Sequence, residues 1–164
     1  MCSSKRFGIY FTFAFFFIGV NGIKNLIGTE TEDCIHCLCY IKTQCFDLST
    51  CANYTINYEY WLDAGAPTIN VDDDDVDEAS YLKCMADNNC ILNTIEKYLT
   101  RFTIEDCICD RNIDCRDKIS RFVDGGRDCK QVKKSQSVRY NYCARTRDLP
   151  ELDTTVECVN VNLK

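Results

Sequence analysis

Apolar residues recur at helical spacing in the second half of the chain. Ile91, Ile95, Tyr98, Leu99 and Phe102 share one face, which predicts a helix over residues 91–102 with that stripe turned to the core. A shorter segment, 79–85, carries the same spacing, and a third helix is predicted over 114–122, closed by Gly125 and Gly126. The first half reads differently. From Asn53 to Trp61, tyrosine, threonine and isoleucine alternate with polar residues, a period of two that predicts a short strand or hairpin. Gly65 and Pro67 then mark a turn over 63–67. Between Cys34 and Cys51 five cysteines crowd into eighteen residues, CIHCLCYIKTQCFDLSTC, and the expectation is turns with one short helical stretch over 40–46. Residues 23–33 read as a loosely held arm, and 144–164 as a polar tail tethered at most by Cys158. The architecture expected is α+β: a small, helix-dominated, disulfide-rich domain over 34–143 with a short strand or hairpin.

Residues 1–22 have the marks of a secretory signal. Lys5 and Arg6 form a charged start, Phe7 to Val20 is an apolar run, and Val20-Asn21-Gly22 offers small residues for cleavage after Gly22. The run is fourteen residues, short of the ~20 that span a bilayer. The expectation is a secreted, extracellular chain with no membrane attachment once the signal is gone. Cys2 leaves with the signal, so 13 of the 14 cysteines remain: Cys34, Cys37, Cys39, Cys45, Cys51, Cys84, Cys90, Cys107, Cys109, Cys115, Cys129, Cys143 and Cys158. At that density, in an oxidising compartment, they form a disulfide framework that supplements a modest core, and the odd number leaves one without an intrachain partner. Cys84 and Cys90 flank a turn between two predicted helices, so a local bridge is expected there.

Losing Lys5 and Arg6 takes the net charge from -6 to -8. An acidic surface does not capture nucleic acid or anionic membranes, which argues against a pore-forming cationic antimicrobial. It leaves open a cleft for neutral sugars, recognised by hydrogen bonds and aromatic stacking.

Residues 70–78 hold Asp72, Asp73, Asp74, Asp75, Asp77 and Glu78. A calcium loop needs alternating oxygens and a glycine at its sharp turn, and no glycine follows, so the run reads as a solvated acidic loop that charges the start of the next helix. Cys34, His36, Cys37 and Cys39 suit zinc by residue type. Zinc ligands come as two separated pairs, however, and exported thiols oxidise, so no metal or cofactor is assigned. His36, the single histidine, reads as a solvent-facing residue without a neighbouring nucleophile. Asn53-Tyr54-Thr55 is an N-glycosylation sequon. Tyr54, Tyr58 and Tyr60 offer ring faces for sugar stacking, whereas Trp61 reads as core.

Several segments, in order, resemble one family. The cysteine cluster, Cys51-Ala52-Asn53-Tyr54-Thr55-Ile56, Tyr60-Trp61-Leu62-Asp63-Ala64-Gly65, the Cys84/Cys90 pair, the segment from Cys107 to Cys115, and Gly125-Gly126 before Cys129 resemble the invertebrate-type lysozymes, or destabilase family. The resemblance covers about Cys34 to Cys143. It implies a lysozyme-like domain, whose hydrolytic chemistry needs two carboxyl groups flanking the scissile bond.

The family's activity is hydrolysis of the β-1,4 link between N-acetylmuramic acid and N-acetylglucosamine in bacterial peptidoglycan, which makes such proteins bacteriolytic. One carboxyl must donate a proton while the other stays ionised. The family's acid lies in C-x-C-x-x-E-S-G-C; here that pattern runs from Cys37 to Cys45, with Lys42 at the acid position and Gln44 at the glycine. An ammonium beside a cationic transition state raises the barrier. The second carboxylate lies in a loop that is shortened here, and Asp47 is the acid left in it, equally readable as a turn or cap residue. The histidine invoked for isopeptidase activity aligns with Phe122, and D-C-N-G-D-G has become Asp106-Cys107-Ile108-Cys109-Asp110-Arg111, without its glycines. The resemblance assigns Tyr54, Ile56 and Tyr60 to substrate binding. It marks Cys109 and Cys158 as additions, candidates to pair and pin the tail, and Cys51 or Cys45 as the odd thiol. The expectation is a monomeric, secreted lysozyme-like protein that meets peptidoglycan or a related glycan with reduced or absent hydrolysis. The alternatives are a muramidase or isopeptidase working through Asp47, Glu59 or Asp63, and a glycan- or protein-binding paralogue in immunity or digestion.

Overall fold

Short polar residues set where the helices begin. The computed structural model describes residues 23–70, 76–101, 106–124 and 132–153, and among these every regular element is a helix. They are α1 (Glu30–Thr43), α2 (Leu48–Thr55), α3 (Tyr58–Asp63), α4 (Glu78–Met85), α5 (Asn88–Thr100), α6 (Cys115–Asp124) and α7 (Lys134–Thr146). Thr29, Asp47, Asn57, Asp77 and Asp87 each turn a side-chain oxygen onto a backbone N–H of the first turn that follows, starting α1 to α5. Such caps satisfy donors that the helix itself leaves orphaned.

α1 is the central element. Its buried residues, Cys34, Ile35, Cys37, Leu38, Cys39 and Ile41, occupy most of its circumference, and it packs against α2, α5, α6 and α7. A buried face this wide places the helix inside the domain. Disulfides fix it there: Cys34–Cys115 ties it to α6, Cys37–Cys143 to α7 and Cys39–Cys51 to α2. The first two close 81 and 106 residues of chain, spans at which a cross-link contributes about 4–5 kcal/mol by restricting the unfolded chain. Cys84–Cys90 closes the α4–α5 turn, as the spacing predicts. Cys107 and Cys109 are also disulfide-bonded, and Cys45 is an exposed free thiol.

Four expectations change. Residues 53–61 form the end of α2 and most of α3 instead of a strand or hairpin, because Asn57 caps a new helix in mid-pattern; no strand occurs among the described residues, so the α+β class is not met there. The cysteine cluster is a fourteen-residue helix and the start of another, not a set of turns. The arm is held: Asn93, buried on α5, accepts from the Lys24 N–H at 3.0 Å and donates to the Lys24 carbonyl at 2.8 Å, while Asn89 accepts from Leu26 at 2.8 Å. The start of the tail is held too. Tyr140 donates to the Pro150 carbonyl at 3.1 Å, Asn141 bonds both backbone groups of Leu152, and Leu149 and Leu152 are buried.

Residues 1–22, expected to be a signal, most of the acidic run (71–75), Gly125, Gly126, Cys129 and Cys158 lie outside the described residues. Among those described, no helix is long and apolar enough to cross a membrane.

Candidate functional site

α2, the link after it and α3 form one wall of a cavity of about 380 Å³, and Tyr98 of α5 supplies the other. Asn53, Tyr54 and Thr55 come from the last turn of α2, and Ile56 and Asn57 from the link. Glu59, Tyr60 and Asp63 come from α3. Trp61, on the same short helix, points the other way. It is fully buried and its indole N–H donates to the Pro67 carbonyl at 2.9 Å, so it fixes α3 from beneath.

Aromatic and charged groups are layered along the cavity. Tyr60 stacks on Tyr98 with ring centroids 3.6 Å apart, the Arg101 guanidinium lies 3.7 Å from the Tyr98 centroid, and Arg101 pairs with Asp63 at 2.6 Å. The guanidinium thereby holds both a ring and a carboxylate in place. Burial, with Tyr98 adding to it, raises the Tyr60 phenol above its ordinary range, and its hydroxyl is buried without a hydrogen-bond partner among the described residues. Tyr54 contrasts with it at 79% exposed, its ring free to meet a ligand. The Tyr60 and Tyr98 faces are taken up by each other and by Arg101, so the open Tyr54 ring, beside hydrogen-bonding side chains, is the surface that suits a sugar.

The three residues assigned to substrate binding, Tyr54, Ile56 and Tyr60, meet in this cavity. Lys42 and Asp47 do not line it. Asp47 is the cap of α2, six residues before Asn53, a rise of about 9 Å along a helix. Its carboxylate accepts from the Ser49 hydroxyl at 2.6 Å, the Thr50 N–H at 2.7 Å and the Thr50 hydroxyl at 2.8 Å, and these bonds lower its pKa to about 2. Lys42, exposed near the end of α1, holds its ammonium 4.6 Å from the centre of the Phe122 ring. The two positions at which the resemblance replaces an acid and a histidine therefore touch each other.

Other sequence candidates resolve simply. Cys34, Cys37 and Cys39 are all in disulfides, so the apparent zinc cluster has no thiolates to offer. His36 is not solvent-facing: its side chain is 14% exposed, with Nδ1 2.8 Å from the Phe46 carbonyl and Nε2 3.5 Å from Glu32. In the Asp106–Arg111 segment, Asp106 accepts from the N–H groups of Asp110 and Arg111, and Arg116 bridges Asp110 and Asp114, each at 2.5 Å. Asp117, fully buried, accepts from the backbones of Cys107, Ile108 and Asp114, and burial still raises its pKa.

Tyr98 and Arg101 were not foreseen as site residues. Tyr98 falls on the apolar stripe of α5 and reads as core; the signal was its hydroxyl and the arginine three residues on, which suit the end of a stripe where it meets water.

A helix-dominated, disulfide-stapled domain with an aromatic cavity is thus the class that fold and site define. Within that class, the Destabilase family model matches residues 31–160, and the chain belongs to that family. It is similar to invertebrate-type lysozyme 2 of Caenorhabditis elegans, 27% identical over 87 residues, which is 48% of this chain and 61% of that relative. The match thus spans less than two thirds of the relative's length. No solved structure matches the chain.

Proposed function

We propose that the protein is a secreted lysozyme-like protein that binds β-1,4-linked amino-sugar glycans of the peptidoglycan type and hydrolyses them weakly or not at all. The observation that carries this reading is Lys42. At the position of the family's proton donor stands a lysine with its side-chain nitrogen over the Phe122 ring, and neither side chain is the carboxylic acid that protonates a leaving oxygen. General acid catalysis is worth roughly 10² to 10⁴ in rate, which is the expected deficit. Asp47, tied into a helix cap by three hydrogen bonds, serves α2 in this reading. Glycan binding survives in it because the aromatic cavity does not depend on either residue. A cell-wall clearing assay with the purified chain tests the loss, and a peptidoglycan pull-down tests the binding. Vigorous clearing would end the first claim, and failure to sediment with the wall polymer would end the second.

One observation favours a working hydrolase instead. Glu59 and Asp63 both line the cavity and sit four residues apart on α3, a spacing that brings Cβ atoms within about 5–6 Å, comparable to the carboxyl separation in retaining glycosidases. Against it, Asp63 is engaged by Arg101, and Glu59 stands in water instead of the apolar pocket that a proton-donating carboxyl requires. Glu59→Gln and Asp63→Asn would each abolish lysis under this second reading and change nothing in rate under the first.

A further inference from the structure

The cavity carries on its own rim an attachment point for a sugar. We propose that Asn53 bears an N-linked glycan whose first sugars cover the cavity, so that the exported protein is partly occluded by its own modification. This rests on the reading of the chain as an exported glycan-binding protein.

Asn53 opens the sequon Asn53-Tyr54-Thr55, is exposed on α2, and its side chain makes no hydrogen bond among the described residues. It is also one of the residues that line the cavity, next to the exposed ring of Tyr54 and across from the Tyr60–Tyr98 stack. A glycan on Asn53 therefore starts at the mouth. The root of an N-linked glycan is a β-1,4-linked pair of N-acetylglucosamines, the same chemistry that the cavity is proposed to take from outside. Tethering makes that contact intramolecular, at an effective concentration on the order of millimolar. An external oligosaccharide of ~0.1 mM affinity would then bind about tenfold more weakly.

The modification joins Asn53 Nδ2 to the anomeric carbon of the first N-acetylglucosamine of a polyprenyl-diphosphate-linked oligosaccharide. That carbon's bond to the diphosphate breaks, the amide gives up one proton, and the polyprenyl diphosphate leaves. In the folded chain the Thr55 hydroxyl donates to the Cys51 carbonyl at 2.6 Å inside α2, and Cys51 is bonded to Cys39. Transfer therefore precedes closure of this helix.

The test uses the full chain secreted from a glycosylating host, beside Asn53→Gln from the same host and wild type secreted while synthesis of the lipid-linked oligosaccharide is blocked, which leaves Asn53 unmodified. Peptide mass mapping reads occupancy, and titration with chitotriose reads binding. The expected result is a glycan on Asn53 and about tenfold tighter binding in both glycan-free forms. An unmodified Asn53, in a host that modifies a control sequon, overturns the proposal. So does an occupied Asn53 with equal binding in all three forms, which leaves the glycan-binding reading standing. If none of the three binds chitotriose, that broader reading falls and takes the proposal with it.

Discussion

Gln44, Cys109 and Arg111 stand where the family motifs have glycine, and all three keep a left-handed backbone, with φ of 58°, 59° and 68°. The chain has lost the glycines and retained the conformation that glycine favours. Gln44 and Arg111 can be reverted without touching a disulfide. Both side chains are exposed, and the backbone N–H bonds they make, Gln44 to the Tyr40 carbonyl at 2.9 Å and Arg111 to Asp106 at 2.7 Å, survive a change to glycine. A non-glycine residue in this region costs roughly 1–2 kcal/mol, and glycine returns about 0.4–1 kcal/mol of that by loosening the unfolded chain. Gln44→Gly and Arg111→Gly should therefore each stabilise by about 0.5–1 kcal/mol, and the pair by about 1–2 kcal/mol, since they share no hydrogen-bond partner. Urea unfolding reads the gain as a higher midpoint at unchanged slope, and thermal unfolding as a rise of about 4 °C per kcal/mol for a domain of this size. Gln44→Ala and Arg111→Ala are the controls, because alanine removes the side chain and keeps the strain. If the glycine variants gain no more than the alanine variants, backbone strain is not what these positions carry.

Three further outcomes follow from the same structure. Asp47 has a folded pKa of about 2, below its unfolded value of 3.8, so the stability it contributes is present above about pH 4 and is lost as pH falls towards 2. Asp47→Asn keeps the cap and should flatten that part of the acid-unfolding profile, whereas a catalytic Asp47 would show itself by loss of lysis at neutral pH. Asn93→Ala should cost about 1–3 kcal/mol by stranding the Lys24 backbone groups, with faster amide exchange confined to residues 24–29; a loose arm would show neither effect. Among the described residues Cys45 is the free cysteine, so thiol titration of the native chain should lose one reactive group on Cys45→Ser without a change of fold; an unchanged count would contradict the disulfide assignment.

α4, α5 and α6 were legible from their apolar spacing, and Asp77 and Asp87 cap the first two in agreement with it; α7, which follows Lys133, was not foreseen. α1 was not, because its apolar positions are largely cysteines, whose crowding reads as loops although Thr29 and the acids Glu30, Glu32 and Asp33 signal a helix start. The Asn53–Trp61 segment misled in another way. Two short helices, broken at Ile56 and Asn57, mimic a period of two, and the deciding signal was a cap at Asn57 in the middle of the pattern. At the site, Tyr54, Ile56 and Tyr60 could be assigned because they are neighbours in sequence. Tyr98 and Arg101 arrive by tertiary contact from α5, which local sequence does not encode, and the meeting of Lys42 with Phe122 joins residues 80 positions apart in the same way.

The central claim is that position 42 cannot supply a proton to a glycosidic oxygen. Release of new reducing ends from purified peptidoglycan by the unmodified chain measures this most directly, with Lys42→Glu run beside it. The account predicts release from the unmodified chain that is absent or at least about a hundredfold slower than that of a working lysozyme. Sustained release by that chain, abolished by Glu59→Gln or Asp63→Asn, would contradict it and identify the cavity as a working hydrolytic site.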